Sequence, residues 1–194
     1  DKIVYRLVNA EKNREHLTDV PYIPYLDLAI TFCASFEMPG GMAASILIHE
    51  SHMDMWGVGI KELMECAEEN TPRLFPPEEV SLFDLLGDRL GCLTSQTELK
   101  TCPMRVLTNE SRAHGASVLL YRELLSEYAD RIDDDLYLLP SSIHEVIVLP
   151  ASFESDLDTL SAMVQEVNES SVAREDILSD HAYFYSRETG KISF

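Results

Sequence analysis

Apolar positions along this chain switch spacing repeatedly, from every second residue to every third or fourth. Each switch predicts a change from strand to helix. Ile3, Tyr5 and Leu7 alternate with more polar neighbours and predict a strand over residues 2–9. Residues 10–18 read as a short helix. Pro21 and Pro24 end it and force 21–25 to be extended. Residues 26–36 are almost continuously apolar, the pattern of a buried central strand. Pro39-Gly40-Gly41 predicts a turn and residues 43–49 the returning strand.

One motif then recurs three times: strand, tight turn, strand, amphipathic helix. In the first copy, Glu50-Ser51 reads as a two-residue turn between 46–49 and 52–58. Ile60, Leu63, Met64 and Ala67 follow at helical spacing, and Asn70 and Pro72 close the helix. In the second, 104–108 and 116–120 pair around 109–115, and Leu124, Leu125, Tyr128 and Ile132 stripe the helix. In the third, 136–139 and 145–149 pair around 140–143, and Leu157, Leu160, Met163, Val164 and Val167 stripe the helix. Residues 181–186 and 191–194 read as a terminal hairpin, with Gly190 supplying the positive φ of its turn.

Helices that follow hairpins rather than single strands predict an α+β fold. Its mostly antiparallel sheet is built from successive β-hairpins, each followed by an amphipathic helix packed on it. The sheet is either continuous or divided into two hairpin-rich halves joined near 71–103. A single domain over 1–194 is the expectation, with an irregular insertion around 71–103. There Pro72, Pro76 and Pro77 precede a helical stretch at 82–90 and a loop at 91–103.

Charge narrows the partners. The chain carries 34 acids and 15 bases, a net charge of −19. Such a field repels phosphate backbones and anionic lipid, which argues against nucleic acid and membranes and favours a basic protein partner. No apolar run approaches the roughly 18 residues of a membrane span. The four cysteines, Cys33, Cys66, Cys92 and Cys102, show no CxxC spacing, and the opening Asp1-Lys2-Ile3 does not read as a secretory signal, so none is expected. Four reduced thiols in a cytoplasmic protein are expected.

Candidate chemistry is sparse. His49-Glu50-Ser51-His52 is one residue short of H-E-x-x-H, so the helical zinc-protease geometry is unavailable. Across a two-residue turn, however, His49 and His52 would face each other about 5 Å apart and hold Zn or Mn, given a third ligand such as Asp54. Ser141-Ser142-Ile143-His144-Glu145 holds triad residue types, but Ser142 and His144 share a strand face while Glu145 points away, and no G-x-S-x-G elbow exists. Residues 109–115 form a polar loop in which Arg112 offers a fork for a carboxylate or phosphate. His144 is a second candidate ligand contact. Tyr22, Tyr25 and Trp56 line a groove or pack over a sheet edge. No phosphate-cradling glycine motif appears. The leading expectation is a non-enzymatic cytoplasmic binding module with no cofactor. The alternative is a metal-dependent hydrolase built on His49 and His52.

Several segments resemble an uncharacterised bacterial, Firmicutes-type family of unknown function: 2–11 (KIVYRLVNAE), 21–30 (PYIPYLDLAI), 46–57 (ILIHESHMDMWG), 69–76 (ENTPRLFP), 107–120 (LTNESRAHGASVLL), 136–150 (LYLLPSSIHEVIVLP) and 178–192 (LSDHAYFYSRETGKI). The resemblance implies that this chain is the C-terminal portion of longer proteins carrying an upstream N-terminal region. It implies no activity, cofactor or catalytic residue. Glu50 and His114 stand where the family pattern has Asn.

Overall fold

A computed structural model describes residues 1–37, 43–81, 104–153 and 156–194. The fold is α+β with antiparallel sheets. Its contacts divide into two compact units, Asp1–Pro76 and Pro77–Phe194, and the division falls within the 71–103 segment. Each unit has its own sheet.

The first unit runs β1 (Ile3–Asn9), a 3-10 turn (His16–Thr18), β2 (Tyr22–Tyr25), β3 (Leu28–Glu37), β4 (Ala43–Leu47), α1 (Glu50–Trp56) and α2 (Ile60–Leu74). β3 is the expected central strand. β1 pairs along one side, from Ile3 opposite Ala34 to Asn9 opposite Leu28. Two short strands share the other side end to end: β2 beside 28–31 and β4 beside 33–37. Leu28, Ala29 and Phe32 are completely buried. The predicted helix at 10–18 is instead a series of turns ending in the 3-10 turn.

α2 covers the outer side of β1. The buried Tyr5 amide donates to Thr71 Oγ1 at 3.1 Å, and that hydroxyl donates to the Ala67 carbonyl at 2.7 Å. One threonine thus satisfies an amide that the edge of the sheet leaves open. The same anchoring explains why Pro72 does not stop the helix. Its missing N–H costs one ladder bond. The last turn is held from outside by Thr71 and by Arg73, whose Nη2 bonds Asn70 Oδ1 at 2.8 Å and the Asp1 carbonyl at 2.9 Å. α2 therefore continues to Leu74.

The largest correction concerns residues 50–58. Glu50-Ser51 is not a hairpin turn and 52–58 is not a strand. His49 is the extended N-cap of α1, and Gly57, at φ 66°, ends it. α1 buries none of its residues, so it has no apolar stripe by which spacing would reveal it.

The second unit runs β5 (Pro77–Ser81), β6 (Arg105–Asn109), a 3-10 segment (Gly115–Leu120), α3 (Leu124–Ile132), β7 (Leu136–Leu139), β8 (Val146–Pro150), α4 (Leu157–Ser171), β9 (Tyr183–Ser186) and β10 (Lys191–Ser193). Six strands form one antiparallel sheet in the order β10-β9-β7-β8-β6-β5. The hairpins β7–β8 and β9–β10 are those predicted, and Gly190 sits at φ 64° in the terminal turn. Leu160 and Val164 of α4 pack with Leu139, Leu149 and Ala182 over that sheet. Met163 and Val167, expected in the buried stripe, are 44% and 43% exposed, and buried Asn168 continues the inner face. Asn168 Nδ2 earns that place by bonding the Ser179 carbonyl and Asp180 Oδ1, each at 2.8 Å.

Residues 116–120 are not a strand. β6 pairs instead with β5 and β8. The segment coils as a 3-10 turn whose Ala116, Ser117, Val118 and Leu119 are all buried. A short run buried on every side carries no period that separates strand from helix. Gly115 permits the arrangement. A Cβ there would lie 2.1 Å from Thr108 Oγ1 and 2.3 Å from the His144 carbonyl oxygen. The readings for 82–90 and 91–103, and Cys92 and Cys102, lie outside the described residues. Cys33 is buried and Cys66 exposed, both as free thiols.

Candidate functional site

His49 and His52 do come together, but through a helix start rather than across a hairpin. Their ring centroids are 5.6 Å apart. The His49 amide donates to His52 Nδ1 at 3.0 Å, as an N3 side chain satisfies an N-cap amide. His49 Nδ1 lies 3.0 Å from Asp19 Oδ2, and the Glu50 amide bonds the Asp19 carbonyl at 2.9 Å. The start of α1 is thereby fastened to residue 19. His52 then stacks on Trp56 at 5.6 Å, with 19° between the planes.

These bonds set the tautomers. An acceptor at His52 Nδ1 places the proton of the neutral ring on Nε2. Neither nitrogen then offers a metal a lone pair without breaking the helix start. For His49, donation from Nδ1 to Asp19 leaves Nε2 as the basic nitrogen. Asp54 makes no third ligand here: among the described residues, no three His, Cys, Asp or Glu side chains gather as a metal-holding group.

The second cluster joins the 109–115 loop to the 140–145 loop. His144 Nδ1 accepts from the His114 amide at 3.3 Å, and His144 Nε2 lies 3.4 Å from Asp176 Oδ1. The rings of His114 and His144 stand 5.9 Å apart. Ser142 Oγ accepts the backbone N–H of His144 at 3.0 Å, and Thr108 Oγ1 donates to the His144 carbonyl at 2.8 Å. This arrangement decides against a local Ser–His–acid triad. Both imidazole nitrogens of His144 are engaged, so neither is placed to take a proton from Ser142. Ser142 is itself only 5% exposed.

Arg112 sits in the left-handed region at φ 52°. Its Nε and Nη2 both bond the Glu78 carboxylate at 3.2 Å. That pairing holds Glu78 below its usual carboxylate range and raises Arg112. The fork predicted for a ligand is therefore closed on β5, while His144 faces Asp176. No local sequence signal points to the partners Asp19, Glu78 and Asp176. They lie about thirty residues away along the chain and join no local motif.

Two of the clefts among the described residues lie in the second unit. One of about 480 Å³ is lined by Asp130, Asp133, Asp134, Asp135, Arg187 and Glu188. Its four aspartates are occupied. Arg187 bonds Asp130 and Asp133, its amide bonds Asp135 Oδ1, and Asp134 accepts the Ser152 and Asp135 amides. The other, about 330 Å³, lies between β5 and α3, floored by Leu107, Leu124 and Tyr128. Its Arg131 bonds Glu79 and lies 4.8 Å over the Tyr128 ring.

Tyr22 and Tyr25 do not share a groove. They are three residues apart on β2 and point to opposite faces. Tyr22 is 40% exposed, whereas burial pushes the Tyr25 hydroxyl up. No described helix is long and apolar enough to cross a membrane.

Among known families, the model of DUF5688, a family of unknown function, matches residues 1–187. No curated protein and no solved structure matches the chain.

Proposed function

We infer that this chain, which belongs to DUF5688, a family of unknown function, is a non-enzymatic module that binds a basic protein partner. One observation carries the reading. In the first unit, exposed large apolar side chains concentrate on β4 and α1: Ile46 at 58%, Leu47, Met55 at 78% and Trp56 at 47%. Met and Trp are enriched at recognition surfaces because they offer much adaptable apolar area. Residues 46–60 contain no Lys or Arg, while Glu50 and Asp54 stand among them. Exposed apolar side chains in a segment whose only charges are acidic suit a partner that offers apolar anchors together with bases.

The test is retention of partners from a lysate by the immobilised full chain, against a Met55→Asp/Trp56→Ser variant. Both side chains are exposed and α1 has no buried residue, so the variant keeps its fold. The expected result is a defined basic protein held by the parent and lost by the variant. Equal retention by both, or none by either, overturns the reading.

A further inference from the structure

We propose that β4 receives an extended basic segment of the partner as an added antiparallel strand, continuing the sheet β1-β3-β4 by one. The proposal rests on the binding reading above and specifies its mode. An exposed strand edge is a template for pairing, and proteins blunt such edges with proline, charge or a covering element. The other edges described here carry those protections. The outer side of β1 lies under α2, with its Tyr5 amide capped by Thr71. β2 contains Pro24, β5 contains Pro77, Glu78 and Glu79, and β10 contains Lys191. β4 reads Ala-Ala-Ser-Ile-Leu, with neither proline nor charge, and no described strand pairs with its far side.

The exposure of its side chains follows from that open edge. Leu47 stands opposite Cys33, which stands opposite Val4, so all three share one face. Cys33 and Val4 are 2% and 1% exposed, whereas Leu47 is 37% exposed. Ile46 projects from the other face at 58%. Leu47 and Ile46 are therefore open on both faces at the edge where no described strand lies beside β4. A strand laid there would bond the main-chain groups of β4 that no described strand engages and flank both side chains. Charge selects the occupant. A second copy would bring a further net charge of −19 to the same edge, whereas a basic segment is drawn by the chain's own acidic field, and Arg6 Nη2, the cation beside β4, is already engaged by Ser45 Oγ at 2.7 Å.

The probe is a set of blocked eight-residue peptides alternating Val or Leu with Lys or Arg, plus a matched set with Glu replacing the bases. Binding is read from the emission of Trp56, the chain's only tryptophan. The expected result is saturable binding within the basic set alone. It weakens at least tenfold when alternate peptide amides are N-methylated in one register and is unchanged in the other, because only every second amide of an added strand faces β4. Ile46→Lys, at an exposed position whose folding is checked by circular dichroism, weakens binding by a similar factor. Absence of saturable binding by any basic peptide overturns the proposal. So does binding that ignores N-methylation in both registers, which would leave the apolar-surface reading standing. A free chain that sediments as a dimer and becomes monomeric on Ile46→Lys assigns the edge to a second copy and equally overturns it. Failure of the module reading itself is seen separately, as equal or absent retention in the lysate experiment.

Discussion

Gly115→Ala tests whether close approach, rather than chain flexibility, holds the 3-10 segment against β6. The new Cβ would lie 2.1 Å from Thr108 Oγ1, 2.3 Å from the His144 carbonyl oxygen and 3.0 Å from the Asn109 amide nitrogen. Two of these three are backbone atoms, so no side-chain rotation relieves the overlap. Overpacking of this kind costs about 1–3 kcal/mol. Separating the loops also stretches the 2.8 Å bond from Thr108 Oγ1 to the His144 carbonyl, a further loss of roughly 1 kcal/mol. A total of about 2–4 kcal/mol is expected, equivalent to a fall in Tm on the order of 10 °C. Gly190→Ala is the control within the same unit. There φ is 64° and nothing lies within 4 Å, so only backbone strain of about 1 kcal/mol applies. Urea denaturation followed by circular dichroism gives the midpoints, and hydrogen exchange at the Val148 amide confirms that the second unit is the one loosened. If Gly115→Ala costs no more than Gly190→Ala, the steric argument fails.

Acid should weaken the second unit. Asp156 is held below its usual range by the Thr159 amide and hydroxyl. Asp134 is also lowered: burial opposes this, but bonds from Ser152 and the Asp135 amide outweigh it. A carboxylate with a depressed folded pKa adds stability above its unfolded value of about 3.9, and that stability is lost as pH falls through the folded value. Tm measured from pH 6 down to pH 2 should fall steeply, and less steeply in Asp156→Asn; parallel curves would refute the assignment. Arg187→Gln should lower Tm more in low salt than in high salt, because it frees Asp130 and Asp133 to repel each other; a salt-independent loss would contradict this. At high pH, burial pushes the hydroxyls of Tyr25, Tyr121 and Tyr128 up. Spectrophotometric titration should show these three ionising later than a free tyrosine, with stability present below about pH 10 and lost above it.

Much of the sheet was legible because its signals are local. β1, β3, β7, β8 and the terminal hairpin combine alternating or continuous apolar runs with turn residues at the required offsets, as at Gly190. Two elements were not. α1 buries no side chain and so shows no helical period, while Gly115–Leu120 is buried on nearly every side and shows no period of either kind. The candidate site divides in the same way. The closeness of His49 and His52 was readable, since residues three apart meet in a tight turn and in a helix start alike. Their chemistry was not, because it depends on Asp19, thirty positions away, and on which ring nitrogen already accepts a bond. Residue type alone marks Arg112 and His144 as candidates, and distant carboxylates at Glu78 and Asp176 engage both.

The strand order of the second unit has a mechanical corollary. The chain enters at β5, on one rim of the six-stranded sheet, and leaves through β10 on the opposite rim. Five strand spacings put those rims about 24 Å apart. Tension between residue 77 and the C-terminus would pull across the strands rather than along them. It would detach β10 and then β9 in sequence, so this half of the molecule should yield by peeling at low force instead of resisting in shear.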